Sequence, residues 1–152
     1  MPIVKNWAPA IAWMSLIFLF STEIFSGSNT SSFFRPLLSW FLPSLTSEQI
    51  DLIHFLLRKF AHWIEYFILC QFLLRGFSAH FPLWKRSRRL FWGLLWAMLY
   101  AAGDEWHQSF VPSRSPSPFD VLINSFGAIC GAWWFERSKK MGNNSPRERK
   151  KT

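Results

Sequence analysis

Three short stretches hold the side chains able to do chemistry. Arg58, Lys59, His62, Glu65 and Tyr66 come first, Asp104, Glu105, His107 and Gln108 second, Arg114, Asp120 and Asn124 third. Arginine and lysine bind phosphate or carboxylate through charge-assisted hydrogen bonds. His62 with Glu65, or Asp104 and Glu105 with His107, are the types that serve as general acid and base. The same histidine and carboxylate groups suit a zinc ion. No HExxH, nucleophile elbow or phosphatase signature accompanies them, so no motif carries catalysis, a metal site or a cofactor.

Such groups must be positioned by helices. At 100° per residue, Arg58, Lys59, His62, Glu65 and Tyr66 fall within roughly one third of a helix circumference. Phe60, Trp63, Ile64, Phe67 and Ile68 take the other side. That pattern predicts a membrane helix with a charged inner stripe, and ionisable groups in hydrocarbon demand partners or a function. Thr46-Ser47-Glu48-Gln49 reads as a capping box. From it a helix can run to about Arg75 without Pro or Gly, some 29 residues or roughly 43 Å, with its first turns outside the bilayer core.

The remaining segments read in the same way. Trp7 to Phe25 is a first apolar segment of spanning length, and it lacks the A-x-A site of a signal peptide. Residues 26–33 have loop composition, and 34–42, bracketed by Pro36 and Pro43, suit a short interfacial segment. Gly76 to Arg89 forms a basic turn around Pro82. A helix over 88–108 places Ala97, Tyr100, Ala101, Asp104 and Gln108 on one face, where small residues permit close packing. Ser117-Pro118-Phe119-Asp120 is a helix start, with Ser117 as cap and Pro118 at the first position. Asp120, Asn124, Gly127 and Gly131 then form a narrow stripe facing protein.

The expectation is therefore an all-α bundle of four transmembrane helices, 7–25, 58–75, 88–108 and 118–135. Residues 1–140 form one domain, and 141–152 form a basic disordered tail. Composition agrees: half of the 152 residues are hydrophobic and 19% aromatic, too many rings for so small an interior. The net charge of +8 does not point to nucleic acid, because the cations flank apolar segments as topology signals do. Thirteen of the 17 Lys and Arg residues gather on the side of the two termini. The positive-inside rule then makes both termini cytoplasmic. Glu23 and the three chemical stretches fall toward the outer leaflet. Cys70 and Cys130 read as small hydrophobes.

In order along the chain, Arg58-Lys59-x-x-His62-x-x-Glu65-Tyr66, Asp104-Glu105-x-x-Gln108-x-Phe110-Val111-Pro112-x-Arg114 and Asp120-x-x-x-Asn124-x-x-Gly127 resemble the VanZ-like family. Phe20-Ser21-Thr22 resembles that family's start. The likeness covers most of residues 10–135 and leaves out the basic end after Ser138. It implies a small integral membrane protein of the cell envelope, whose namesake is associated with low-level teicoplanin resistance, and it implies no established reaction.

Several readings of the charged residues stay open. Arg58, Lys59, His62, Glu65, Tyr66, Asp104, Glu105, Gln108, Arg114, Asp120 and Asn124 form a pocket for an anionic or amphiphilic ligand: a lipid headgroup, a lipid-linked envelope precursor or a lipoglycopeptide. Alternatively they are structural pairs that fix helix register. An intramembrane acid–base enzyme would use His62, Glu65, Asp104, Glu105 or His107. A proton-coupled transporter would need several copies to enclose a path. The lipid bilayer is the one partner common to all, and the sequence sets no oligomeric state.

Overall fold

The computed structural model describes residues 2–114 and 116–143, which form five α-helices and no strand. These are α1 (Pro2–Phe20), α2 (Gly27–Phe41), α3 (Ser47–His80), α4 (Arg86–Gln108) and α5 (Pro118–Asn143). A 3-10 turn, Glu23–Phe25, lies between α1 and α2. The longest helix, α3, has 34 residues, about 51 Å at 1.5 Å per residue, and packs against all four others.

Local chemistry explains most boundaries. The Thr46 capping box is present: Gln49 N donates to Thr46 Oγ1 at 3.3 Å, and Thr46 N donates to Gln49 Oε1 at 2.9 Å. Ser117 caps α5, its Oγ accepting from Phe119 N at 3.2 Å. The first apolar segment ends at Phe20 instead of reaching Phe25. There the Thr22 hydroxyl donates to Leu19 O at 2.7 Å and Ser21 to Ile17 O at 3.0 Å, offering the backbone an alternative to another helical turn.

Three further expectations are corrected. Residues 26–33 are not a loop, because Ser26 accepts from Asn29 N and starts α2, which carries Pro36 inside it and absorbs the segment 34–42. Helix α3 does not stop before Gly76. That glycine is buried under the Trp7 ring, where an added Cβ would lie 2.9 Å from Cε3, so it makes room for an indole and does not cap a helix. Helix α4 begins at Arg86, and α5 continues past Phe135 to Asn143. Residues 141–143 are thus helical, and the rest of the basic tail lies outside the described residues.

The core is a seam of small residues and one buried phenol. Ala97, Ala101 and Ala128 are fully buried beside Tyr66, Leu69 and Cys70. A Cβ added at Gly127 would collide with the carbonyl of Trp63, and one at Gly131 with that of Phe67. The glycine stripe read from the sequence therefore sets α5 directly against the backbone of α3. Small residues are what permit helix axes to come this close.

No single helix among the described residues is long and apolar enough to cross a membrane. By length and composition, one pair qualifies together: Val4–Phe20 with Glu23–Phe41, bent by 68° at the break.

Candidate functional site

The three chemical stretches converge where α1 ends, α3 passes and α4 hands over to α5. Asp104 is 5% exposed and doubly held: Ser21 Oγ donates to Oδ1 at 2.5 Å and Gln108 Nε2 donates to Oδ2 at 3.1 Å. Gln108 lies one turn beyond Asp104, so the i, i+4 spacing supplies that contact. Lys59 on α3 pairs with Asp120 in the first turn of α5. Glu105 Oε2 accepts from Ser117 N at 3.1 Å, tying α4 to the start of α5. These contacts engage one cation, three carboxylates and one amide, and leave only Oε1 of Glu105 among them buried without a partner.

A second group of side chains is only partly satisfied and faces open space. Arg114 Nη2 donates to the carbonyl of Phe20, and to that of Thr22 at 3.1 Å. Both oxygens belong to the break after α1, where helical acceptors lose their partners. Its Nε has no partner, and neither does Nη1 of Arg58, although both are buried. The Arg58 guanidinium passes so close to Gly27 that a Cβ there would lie 2.6 Å from Nη1. Burial first, and then the neighbouring Arg58 guanidinium, lower the Arg114 pKa from its ordinary value. Two like charges therefore stand close together with donors to spare.

Arg58, His62 and Arg114 line two adjoining cavities. The first, about 310 Å³, adds Phe20, Phe25, Ala61 and Glu65. The second, about 370 Å³, adds Lys59, Gln108, Ser113 and Asp120 and is the more polar. His62 Nδ1 stands 3.5 Å from Glu65 Oε2, an ion-pair distance without a formed hydrogen bond.

Other candidates lie elsewhere. Tyr66 and Asn124 are wholly buried, line neither cavity, and have polar atoms without partners. The His107 ring lies 4.6 Å from that of Phe18, tilted by 42°, and lines a separate, largely apolar cavity with Trp96 and Tyr100. Glu23 is exposed at the 3-10 turn. Among the described residues no three His, Cys, Asp or Glu side chains gather as a metal would require.

The contributions of α1 are what residue types alone do not announce. Trp13 Nε1 donates to Glu65 O at 2.8 Å, and Tyr100 OH donates to Met14 O at 2.6 Å. Together with Ser21 and the Phe20 and Thr22 carbonyls, these bonds clamp an apolar helix to the polar centre. A backbone carbonyl has no sequence signature, and a lone serine in an apolar run reads as filler.

A model of the VanZ/LLP1 family matches residues 6–138. The chain belongs to this family. The likeness read from the three motifs is thereby borne out, and the matched region contains every residue of both cavities. No curated protein and no solved structure matches the chain.

Proposed function

We propose that this VanZ-like protein is an integral membrane protein that binds an anionic headgroup between Arg58 and Arg114. The single observation carrying this reading is a pair of guanidiniums on shared cavities, each with one buried N–H nitrogen left without a partner. Two arginines and His62 present donors to a phosphate or carboxylate, and Phe20, Phe25 and Ala61 offer an apolar wall to an acyl or prenyl chain. A lipid, a lipid-linked envelope precursor or a lipoglycopeptide has this combination. Binding such a ligand would connect the chain to glycopeptide resistance of the teicoplanin kind.

The membrane reading rests on the distribution of surface. Ile11, Phe18, Phe60, Phe91, Trp96, Leu122 and Phe126 are each at least half exposed, while Asp104, Glu105, Asp120 and Arg114 are buried. Apolar groups outside and paired charges inside suit a bilayer and are the reverse of a water-soluble surface. In this arrangement α1, α3, α4 and α5 cross the membrane, and α2 lies at the outer interface with Phe33, Trp40 and Phe41 exposed. Both termini are then cytoplasmic, and the two cavities open toward the outer leaflet.

His62 and Glu65 favour one second reading, since their side chains face the same cavity as the arginines. With Glu65 orienting it, His62 would act as an acid or base on a bound envelope lipid.

Thermal unfolding of detergent-purified protein during titration with dihexanoyl phosphatidic acid tests the binding reading. At one hundred times Kd, a ligand of the folded state adds about 2.7 kcal/mol of stability. The stabilisation should vanish in Arg58→Gln and be absent with dihexanoylglycerol. Equal stabilisation of Arg58→Gln contradicts the reading. Conversion of an envelope lipid that stops in His62→Ala, with binding retained, moves it to catalysis.

A further inference from the structure

At the other end of the bundle, α4 and α5 together line a cavity of about 690 Å³. It falls within the roughly 300–1,000 Å³ of small-molecule sites. Its lower walls are Leu90 and Leu94 from α4 and Ala132 from α5, and its rim carries Arg86, Arg137 and Lys140. Only one carboxylate stands there. Glu136 takes Arg86 at 2.6 Å, while among the described residues Arg137 and Lys140 have no acidic partner within ion-pair distance. Arg137 lies over the Trp133 indole at 4.7 Å, which holds its guanidinium at the mouth of the groove.

The surroundings add positive charge and interfacial rings. Arg88 lies 4.3 Å over Trp84, and Lys139 lies 4.6 Å over Phe135 while donating to Ser78 Oγ at 3.1 Å. Burial first, and then Arg89, lower the Lys139 pKa from its ordinary value. Cations are thus crowded against one another with a single counter-charge. An apolar groove floored by aliphatic side chains, rimmed by unpaired cations and flanked by tryptophan has the makings of a lipid site at a membrane interface.

We infer that the α4–α5 groove is a second ligand site, which holds the phosphodiester of an anionic phospholipid between Arg137 and Lys140 and its acyl chain along Leu90 and Leu94. The site rests on the chain standing in a bilayer and is independent of the Arg58–Arg114 cavity. Under the orientation above, it faces the inner leaflet. Glu136 restrains it by occupying Arg86.

Native mass spectrometry of the full chain in detergent, titrated with dioleoyl phosphatidylglycerol, dioleoyl phosphatidylcholine or inorganic phosphate, tests the inference. Wild type should take up phosphatidylglycerol in preference to phosphatidylcholine, one copy depending on Arg137 and Lys140 and persisting in Arg58→Gln. Both cations are exposed, so Arg137→Gln/Lys140→Gln should fold normally and bind about 10- to 30-fold more weakly, near the sum expected of two interfacial cations. Glu136→Gln frees Arg86 and should tighten binding. Lys85→Gln, an exposed cation outside the groove, and Arg58→Gln should leave this site unchanged. Equal loss in Lys85→Gln would reduce the effect to diffuse surface charge and overturn the site. Competition by inorganic phosphate as strong as by the lipid would make it a free-anion site and overturn the lipid assignment. Indifference to headgroup charge would overturn it too.

Discussion

Replacing Gly127 by alanine tests the helix contact on which the polar centre depends. An added Cβ would stand 3.1 Å from the carbonyl carbon and 3.2 Å from the Cα of Trp63, and nearer still to its oxygen. Carbon–carbon contacts settle near 3.5–4.0 Å, and the obstacle is backbone within a helix, which has no rotamer to change. The α3–α5 seam therefore opens by roughly 0.5–1 Å, a gap that forfeits about a quarter to a half of each affected dispersion contact. Overpacking of this kind costs about 1–3 kcal/mol. For a chain of this length that lowers the melting midpoint by about 2–12 °C. Gly103 is the control, because nothing lies within 4 Å of its added Cβ. Gly103→Ala should be neutral or stabilise by up to about 1 kcal/mol through helix propensity. Cys70 is wholly buried and Cys130 only partly, so in a Cys130→Ser background the reaction of Cys70 with a maleimide dye on heating reports unfolding. If Gly127→Ala and Gly103→Ala melt together, α3 and α5 are not in backbone contact and the position assigned to Lys59 and Asp120 is wrong.

Three further outcomes follow from the contacts. Lys59→Met strands the Asp120 carboxylate, which is 6% exposed, and should cost about 3–5 kcal/mol; Lys59→Met/Asp120→Leu should recover most of it in a double-mutant cycle. Ser21→Ala removes a donor from Asp104 and should destabilise by about 1–3 kcal/mol in the same thermal assay, whereas Ser15→Ala, on an exposed hydroxyl, should change little. His54 packs against Phe34 and contacts Thr30 Oγ1 at 3.1 Å; burial, and then Arg58, lower its pKa from 6.5, against Asp51, which raises it, with Arg35 lowering it further. The unfolded chain therefore binds this proton first, so the contribution of His54 is complete above pH 6.5 and is lost as the pH falls from there through the folded value. Melting midpoints between pH 7.5 and 5.0 should fall less steeply in His54→Gln than in wild type.

Features fixed by neighbours in sequence were legible without coordinates. Thr46 and Gln49 satisfy one another within a single turn, and Ser117-Pro118 opens α5 by local capping. The stripe from Arg58 to Tyr66 follows from helical period, and the need for acidic partners on later helices follows from burial cost. The glycine positions on α5 likewise announced a close contact. What was not legible depends on partners distant in sequence. Gly76 reads as a helix end until Trp7 is seen lying on it. Residues 26–33 read as a loop because serine, asparagine and threonine favour loops and caps alike, and only Ser26 bonding to Asn29 makes the choice. The division of labour inside the charged set was hidden as well. Arg58, Lys59 and Arg114 read alike as cations for an anion, yet Asp120 occupies Lys59, and the donors left open belong to Arg58 and Arg114.

The lipid that accompanies the protein out of the membrane is the most direct test of that division. The protein is extracted in mild detergent, and its retained lipids are identified and counted by mass spectrometry. Wild type and Lys59→Met/Asp120→Leu should carry a phosphate-bearing amphiphile at the Arg58–Arg114 cavity, and Arg58→Gln should lose it while remaining folded. An equal complement of that lipid in wild type and Arg58→Gln, or its loss only in the Lys59 and Asp120 variant, would contradict the assignment of the two arginines as the binding groups.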